Sequence, residues 1–204
     1  MMPGSAQPSP AVRRQEAWRR RHALEQNLGV EMRDILIVVD MQNDFISGSL
    51  GTPEARAIVG SVVAKAKAYR DAGRRVLFTR DTHESGYLST FEGRHLPVPH
   101  CIRGTEGWQI APELQPLVES GAGSCVVDKG TFGCLEWQRL AGDARSFEIC
   151  GLCTDICVIS NALIVRAMFP GCEITVDSAC CAGVTPQLHE AALAVMRSCQ
   201  IEVL

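Results

Sequence analysis

The chain is organised around one stretch, C-G-L-C-T-D-I-C-V at positions 150–158. The apolar run from Ser146 to Ile149 predicts the end of a buried strand, and the residues after the stretch follow helical spacing. Thr154 is a suitable N-cap, which places Cys157 in the first helical turn. A thiol there lies beside unpaired backbone N–H groups at the positive end of the helix dipole, so we expect a stabilised thiolate. Cys157 is therefore the best candidate nucleophile in the sequence.

Two other interpretations of this stretch stay open. Cysteine is among the residue types most often buried, so a cysteine near a strand end is commonly structural. Cys150 and Cys153 also form a C-x-x-C motif between a strand and a helix, as in thioredoxin-like redox proteins. The chain is much longer than such a unit needs, and redox chemistry would not require the polar residues that follow the earlier strands. Both observations favour a hydrolytic nucleophile.

The composition is that of an ordinary globular α/β domain: 204 residues, 46% hydrophobic and 21% charged. A net charge of -3 gives no reason to expect nucleic acid or an anionic membrane as a partner. No apolar run approaches the roughly 20 residues that span a bilayer. Ten cysteines without an apolar signal segment predict free thiols in a reducing cytoplasm.

The first part of the chain differs from the rest. Positions 1–11 are rich in Pro, Ser and Gly, and positions 13–21 are strongly basic. We expect residues 1–31 to form a disordered or helical N-terminal extension. Residues 32–204 are then the single folded domain.

Six apolar runs alternate with helical segments, which predicts a doubly wound, mostly parallel sheet in a three-layer α/β/α sandwich. The predicted strands are 34–39, 75–79, 124–127, 146–149, 172–176 and 201–204, and the clearest helices are 54–72 and 185–198. The carboxyl ends of parallel strands share one edge of a sheet, where ligands bind. Side chains that follow different strands can therefore meet there.

Four chemically useful side chains follow four of these strands: Asp40, Asp81, Lys129 and Cys157. A carboxylate, an ammonium and a thiolate together predict covalent acyl transfer. Cys157 attacks a carbonyl, Asp40 takes its proton and passes it to the leaving amine, and water hydrolyses the thioester. Lys129 favours the thiolate by its charge.

A metal site is predicted beside these groups. Asp81 and His83 are two positions apart, so on an extended backbone their side chains point the same way. His100 lies in a loop that is stiffened by two prolines. One carboxylate and two imidazoles suit zinc, iron or manganese and leave positions open for water or substrate. Glu92, in the same loop, is a candidate for a further ligand.

The loop from 83 to 108 is long for a compact domain, which is typical of a functional segment. It carries Tyr87, Phe91 and Trp108. We expect it to act as a lid and to offer a stacking face to a flat substrate. The alternative is that these aromatic side chains fill space in the core.

Five motifs together resemble those of the isochorismatase-like cysteine hydrolases. They are D-M-Q-N-D-F at 40–45, D-T-H at 81–83, H-C at 100–101, D-K-G-T-F at 128–132 and G-L-C-T-D-I-C-V at 151–158. The resemblance covers roughly residues 34–204 and implies the isochorismatase-like α/β fold.

The resemblance implies a catalytic triad of Asp40, Lys129 and Cys157. It also implies a cis peptide bond between Leu152 and Cys153, and an oxyanion hole formed by the backbone amides of Cys153 and Cys157. Cys153 stands where alanine is commonest in the family.

The metal set resembles that of the nicotinamidase branch, in which a divalent metal, commonly zinc, binds the pyridine nitrogen and sets the amide before the cysteine. Asp81, His83 and His100 match its ligands, and Glu92 lies near the position of a further ligand in some bacterial members. The substrate pocket implied here contains Gln42, Phe45, Trp108 and Leu152. Thr82 and Val98 stand where tryptophan is frequent, so we expect a different ring pocket.

The sequence thus predicts a metal-dependent cysteine amidohydrolase that converts nicotinamide and water to nicotinate and ammonia in pyridine nucleotide biosynthesis. We expect it to be cytoplasmic and homo-oligomeric, with a small amide as its substrate. One alternative is a family amidase that acts on another small amide or an N-carbamoyl compound. The other is a metal-binding scaffold without turnover.

Overall fold

The structure, a computed structural model, describes residues 33–119 and 123–204. The N-terminal extension expected at residues 1–31 lies outside the described residues, so its disorder or helicity stays a prediction. In the described ranges no helix combines the length and the apolar character needed to cross a bilayer.

The strands of the described ranges form one six-stranded sheet in which every neighbouring pair is parallel, in the order β3-β2-β1-β4-β5-β6. They are β1 (Ile35–Val39), β2 (Arg75–Asp81), β3 (Ser124–Lys129), β4 (Ser146–Leu152), β5 (Glu173–Ala182) and β6 (Glu202–Val203). All five residues of β1 are buried, as expected for an uninterrupted apolar run in a central strand. The predicted six-stranded α/β fold is confirmed.

Helical segments connect the strands. They are α1 (Asn43–Ile46), α2 (Pro53–Asp71), a 3-10 turn (Tyr87–Ser89), α3 (Phe91–His95), α4 (Gln115–Glu119), α5 (Trp137–Ala141), a π-helical turn (Thr154–Val158), α6 (Ile159–Met168) and α7 (Pro186–Ser198). Both α2 and α7 have proline in the first turn and a threonine cap, since Thr52 Oγ1 accepts from the amide of Ala55 and Thr185 Oγ1 from that of Leu188. These caps explain why both helices could be predicted from the sequence.

The strand order reverses between β1 and β4. From β1 the chain proceeds outward to β2 and β3, and from β4 it proceeds the other way to β5 and β6. Because parallel crossovers are right-handed, the helices of the two halves cover opposite faces of the sheet. Such a reversal opens a crevice at the carboxyl ends of the two central strands, where ligands bind in this class of sheet.

Four strands run further than the sequence predicted: β2 and β3 each extend by two residues, and β4 and β5 extend by more. Strand β4 was expected to end at Ile149 and β5 at Val176, and both continue into the crevice. The register shifts after Ile149, and pairing then resumes between Gly151 and Cys181. This irregularity keeps the two strands paired up to the π-helical turn that carries Cys157. The pattern of apolar residues alone does not reveal this extended pairing.

Gly151 lets β4 approach β1 closely at Val39. Its φ is 118°, and a Cβ at this position would collide with the carbonyl oxygen of Val39. Only glycine fits such a backbone. The residue after Val39 is Asp40, so Gly151 brings the segment carrying Cys157 close to Asp40.

The turn that carries Cys157 also differs from the prediction. The N-cap is Cys153, with no side-chain cap, and Thr154 is already inside the π-helical turn. The prediction of Thr154 as the N-cap is therefore wrong. The Thr154 hydroxyl is buried and lies 2.8 Å from His189 Nδ1 on α7. This tertiary contact replaces the capping hydrogen bond that the sequence predicted.

Candidate active site

Asp40 follows β1 in the crevice, and its carboxylate is fully buried. Its φ of 47° lies in the left-handed region, which aspartate tolerates better than most residues. The Thr79 hydroxyl donates to Oδ1 at 2.7 Å, and Lys129 Nζ lies 2.7 Å from Oδ2. Burial raises the pKa of Asp40, and Lys129 offsets only part of the rise. The carboxylate is therefore a stronger base than an ordinary aspartate.

Lys129 ends β3, directly opposite Asp81 in the parallel register. Its Nζ lies 3.4 Å from Asp81 Oδ1 and 3.6 Å from Cys157 Sγ, and it donates to the carbonyl oxygen of Thr131 at 3.1 Å. Burial lowers the pKa of Lys129, but the surrounding negative groups, Asp40 first, raise it by more. The ammonium therefore stays charged although it is buried.

The thiol of Cys157 is buried beside this pair. Burial raises the pKa of Cys157 well above its ordinary value, the Asp40 carboxylate raises it further, and Lys129 lowers it by less. The expectation that the helix end and Lys129 stabilise the thiolate is therefore wrong. Desolvation and the Asp40 carboxylate outweigh the charge of Lys129, so the resting group is the thiol. A nucleophilic Cys157 needs a base, and Asp40 is the adjacent one.

The amide of Cys157 belongs to the π-helical turn that begins a helical segment. The Cys153 carbonyl accepts from the amides of Ile156 and Val158, on either side of Cys157. The Leu152–Cys153 peptide bond is cis, as the family resemblance implied. Free amides in the first turn of a helix suit a developing oxyanion.

A redox pair at Cys150 and Cys153 gains no support. All ten cysteines of the sequence lie in the described ranges, and all are free thiols. Cys150 has no exposed surface, and burial raises its pKa well above the ordinary value. Such a thiol is poorly suited to thiol exchange, which needs access and a thiolate.

Asp81, His83 and His100 bring three donor atoms within 4.8 Å of one another, and all three side chains are buried. Asp81 Oδ2 lies 3.0 Å from His83 Nε2 and 3.7 Å from His100 Nε2. Donors bound to one zinc ion at about 2.0–2.2 Å lie about 3–4 Å apart, so the spacing fits a metal. Glu92 Oε1 lies 3.6 and 4.0 Å from the two Nε2 atoms, close enough to join the set.

The hydrogen bonds and charges of this cluster also suit a cation. His100 Nδ1 donates to the carbonyl oxygen of Val98 at 2.8 Å, which leaves the Nε2 lone pair directed at the cluster. His83 Nε2 is buried without a hydrogen-bond partner among the described residues, and a metal would satisfy it. Burial raises the pKa of Asp81, but His83 and Lys129 bring it below the ordinary value. The cluster therefore offers an anionic oxygen and two imidazole nitrogens.

Tyr87 holds the two imidazoles in place. Its buried ring lies 4.5 Å from that of His83 and 4.9 Å from that of His100, and its hydroxyl donates to the Leu96 carbonyl at 2.9 Å. It is therefore not an open stacking face. Phe91 is not one either, since it is 74% exposed and lines no part of the cavity described below.

Asp44 is a positioning residue that the sequence analysis missed. Its Oδ2 accepts from the amide of Cys101, next to His100, at 2.8 Å. At Gly107 a Cβ would collide with the same carboxylate. Asp44 thus ties the histidine-bearing loop to α1. The available signal was the second aspartate of the motif at 40–45.

The reacting groups open into a cavity of about 370 Å³. Two residues predicted for the substrate pocket, Phe45 and Leu152, line it. The other lining residues are Leu50, Thr52, Ala55, Asp81, Glu92, Leu96, His100, Phe132, Cys153, Asp155, Ile156, Cys157, Gly183, Val184 and Leu188. Most of these side chains are apolar, and those after Cys157 come from the loop before α7 and from α7 itself, which no motif had indicated.

Gln42 and Trp108, also predicted for the pocket, do not line this cavity. The Gln42 amide is fully buried and bonds the backbone N–H and C=O of Asp81 and the carbonyl of Trp108. Trp108 donates from Nε1 to Thr82 Oγ1 at 2.8 Å, and the Arg80 guanidinium lies 3.4 Å from its ring centroid. The backbone of β2 satisfies the Gln42 amide, and a stacked arginine covers the Trp108 ring. Neither side chain is therefore available to a substrate in this cavity.

Comparison with known proteins agrees with this geometry. The isochorismatase domain model matches residues 34–204. The nicotinamidase/pyrazinamidase of Mycobacterium tuberculosis is 31% identical over 188 residues, which cover 83% of this chain and 97% of that protein.

Solved structures of the same kind superpose on the chain. The nicotinamidase/pyrazinamidase of Bacillus subtilis gives a TM-score of 0.74 at 28% identity, with 84% of this chain and 99% of that one covered. The pyrazinamidase of Pyrococcus horikoshii, solved in complex with zinc, gives 0.73 at 26% identity, with coverage of 85% and 99%.

Proposed function

This chain belongs to the isochorismatase family and is an amide hydrolase, and on that premise we propose that it is a nicotinamidase, converting nicotinamide and water to nicotinate and ammonia. One observation carries the proposal: Cys157 lines the same mostly apolar cavity as Asp81 and His100 of the metal cluster. Lys129 joins the two groups, since its Nζ lies 3.6 Å from Cys157 Sγ and 3.4 Å from Asp81 Oδ1. A flat aromatic amide needs both a nucleophile for its carbonyl and a polar partner for its ring nitrogen.

The chemistry follows from the protonation states. Asp40 takes the proton of the Cys157 thiol as the sulphur attacks the amide carbon, and the oxyanion that forms lies near the amides of Cys153 and Cys157. Asp40 then gives the proton to the departing ammonia, which leaves a thioester on Cys157. Water, deprotonated by Asp40, attacks the thioester carbon, the C–S bond breaks and nicotinate is released. Asp40 returns the proton to the Cys157 sulphur, which restores the resting thiol.

Lys129 supports both partners of this proton transfer. Its ammonium keeps part of Asp40 ionised in a buried site, and it lies within 3.6 Å of the sulphur that becomes negative. Since its own pKa is raised, it does not give up its proton in the cycle. It therefore acts as a fixed charge rather than as an acid or base.

Asp81, His83 and His100 would hold the divalent metal, with Glu92 as a further ligand. Zinc suits this donor set, and iron or manganese would also fit it. A bound metal supplies a Lewis acid that accepts the pyridine nitrogen. The chain itself orients the ligands, through Tyr87 against the imidazoles, and the apolar walls exclude water from the ring.

The alternative within the family is hydrolysis of another small amide or an N-carbamoyl compound without the metal. The two hypotheses separate on chelation, because only a metal-bound ring nitrogen makes turnover metal-dependent. The cytoplasmic location and homo-oligomeric state expected from the sequence stay predictions.

The test is ammonia release from nicotinamide, with Cys157→Ala and a chelated sample beside the wild type. We expect both to lose activity, and zinc, manganese or iron to restore the chelated sample. Asp81→Asn and His83→Ala should lose bound metal, measured by elemental analysis, whereas His95→Ala, which removes an exposed imidazole from α3, should retain it. Turnover of nicotinamide that survives metal removal would reject the role of the metal. No turnover of nicotinamide by the metal-loaded wild type would reject the nicotinamidase assignment in favour of another amidase of the family.

A further inference from the structure

The cavity above Cys157 opens to solvent through apolar side chains. Leu96, Phe132, Val184 and Leu188 line it and are 36%, 46%, 46% and 47% exposed, respectively. We call these four residues the apolar mouth. Scattered exposed apolar side chains are normal on a protein surface. Four of them that line one cavity, from three separate segments of the chain, instead indicate a site that receives apolar ligand surface.

The charged residues of the lining each have a partner within the protein. Asp81, Glu92 and His100 belong to the metal cluster. The remaining carboxylate, Asp155, accepts from the amide of Val184 at 2.9 Å. A ligand group that extends past the reacting centre therefore meets hydrocarbon.

The mouth is held in a fixed position relative to the nucleophile. Asp155, two residues before Cys157, fixes Val184 through the same hydrogen bond. A Cβ at Gly183 would lie 2.8 Å from Asp155 Oδ1, so the two segments are in close contact. Thr154 contacts His189 of α7 at 2.8 Å. These contacts join the catalytic turn to α7, which carries Leu188.

We propose that this site takes pyridine carboxamides with an apolar substituent on the ring, and that Leu188 and Val184 are specificity-determining residues that contact the substituent. The inference rests on the proposed function, because the carboxamide must still reach Cys157. A volume of about 370 Å³ lies in the range of about 300–1,000 Å³ typical of cavities that enclose drug-sized ligands. Unsubstituted nicotinamide, a single ring with one carboxamide, would leave the apolar mouth uncovered.

The test compares kcat/KM for nicotinamide with that for 5-propylnicotinamide and 6-propylnicotinamide, using metal-loaded protein. Each buried methylene is worth roughly fourfold, so we expect at least about a tenfold gain for the isomer whose chain reaches the mouth. Leu188→Gln should remove most of that gain, measured as the ratio between the two substrates. Val195→Gln is the matched control: Val195 lies on the same helix, is 48% exposed and does not line the cavity, so the ratio should not change.

The outcomes separate this inference from the proposed function. If nicotinamide is hydrolysed and neither propyl compound gains, the inference is overturned and the proposed function stands. A gain that survives Leu188→Gln also overturns it. If a propyl compound is hydrolysed and nicotinamide is not, the inference stands and nicotinamide falls as the substrate. If no pyridine carboxamide is hydrolysed, both are overturned.

Discussion

Lys129 Nζ lies 2.7 Å from Asp40 Oδ2, and both side chains are buried. Each group depends on the other for its charge, because burial disfavours the ionised form of both. Removing one member would leave an uncompensated charge in the interior, which is more damaging than replacing the pair.

Lys129→Met should therefore lose both activity and stability. We expect ammonia release to fall by roughly a thousandfold or more, since Asp40 would be protonated at neutral pH and unable to act as the base. The free energy of unfolding, from urea titration, should fall by about 3–5 kcal/mol.

The matched control for Lys129→Met is Lys67→Met, which breaks the exposed ion pair with Asp71 on α2. Its free energy of unfolding should change by less than about 1 kcal/mol, with full turnover. Similar losses in the two variants would show that burial of the Asp40 and Lys129 pair has no special role.

Asp40→Asn should separate turnover from thiol reactivity. Turnover should fall by roughly 10²–10⁴, because the base is lost while the size of the side chain is kept. The pKa of Cys157 should fall, since the carboxylate that raises it is gone and Lys129 remains. Alkylation of Cys157 by iodoacetamide, followed by peptide mass spectrometry, should then be faster at pH 7 than in the wild type. Slower alkylation would mean that Asp40 stabilises the thiolate at rest.

The pH profile should report the raised pKa of Asp40. Asp40 must be deprotonated to act as the base, and its pKa lies above that of an ordinary aspartate. The acid limb of kcat/KM should therefore have its midpoint above about 3.9, the value of a free aspartate, and activity should be lost as the pH falls through it. Metal content measured at each pH provides the control. An acid limb that follows metal loss would assign it to the histidine cluster instead.

Gln42→Ala should destabilise the protein through the backbone of β2. The change leaves the N–H and C=O of Asp81 and the carbonyl of Trp108 without their partner, each buried or half-buried. We expect the free energy of unfolding to fall by about 3 kcal/mol or more, since each of the three unsatisfied groups costs about 1–3 kcal/mol. Gln138→Ala, at an exposed position of α5, should change it by less than about 0.5 kcal/mol. An unchanged stability in Gln42→Ala would contradict the structural role.

The sequence alone determined the strands of the sheet and the reactive side chains that the site contains. A buried strand such as Ile35–Val39 can be predicted from its own apolar residues. The side chain that follows each parallel strand must then lie at the edge that all carboxyl ends share. For that reason Asp40, Asp81, Lys129 and Cys157 could be placed in one crevice before any contact was known. His83 and His100 were added by the Asp-x-His spacing and by the proline-held loop.

Only the tertiary structure decided how those residues behave. Burial by distant segments and the Asp40 carboxylate raise the pKa of Cys157, and neither effect can be read from the residues next to it in sequence. Gln42 turns away from the cavity because its partners lie on β2, 39 positions along the chain. Leu188 enters the site because β4 and β5 stay paired past their predicted ends and bring α7 over the catalytic turn. Desolvation, the choice of hydrogen-bond partner and the shape of a cavity each depend on residues that are distant in the sequence. Strands and helices can be predicted because they depend on the periodicity of nearby residues.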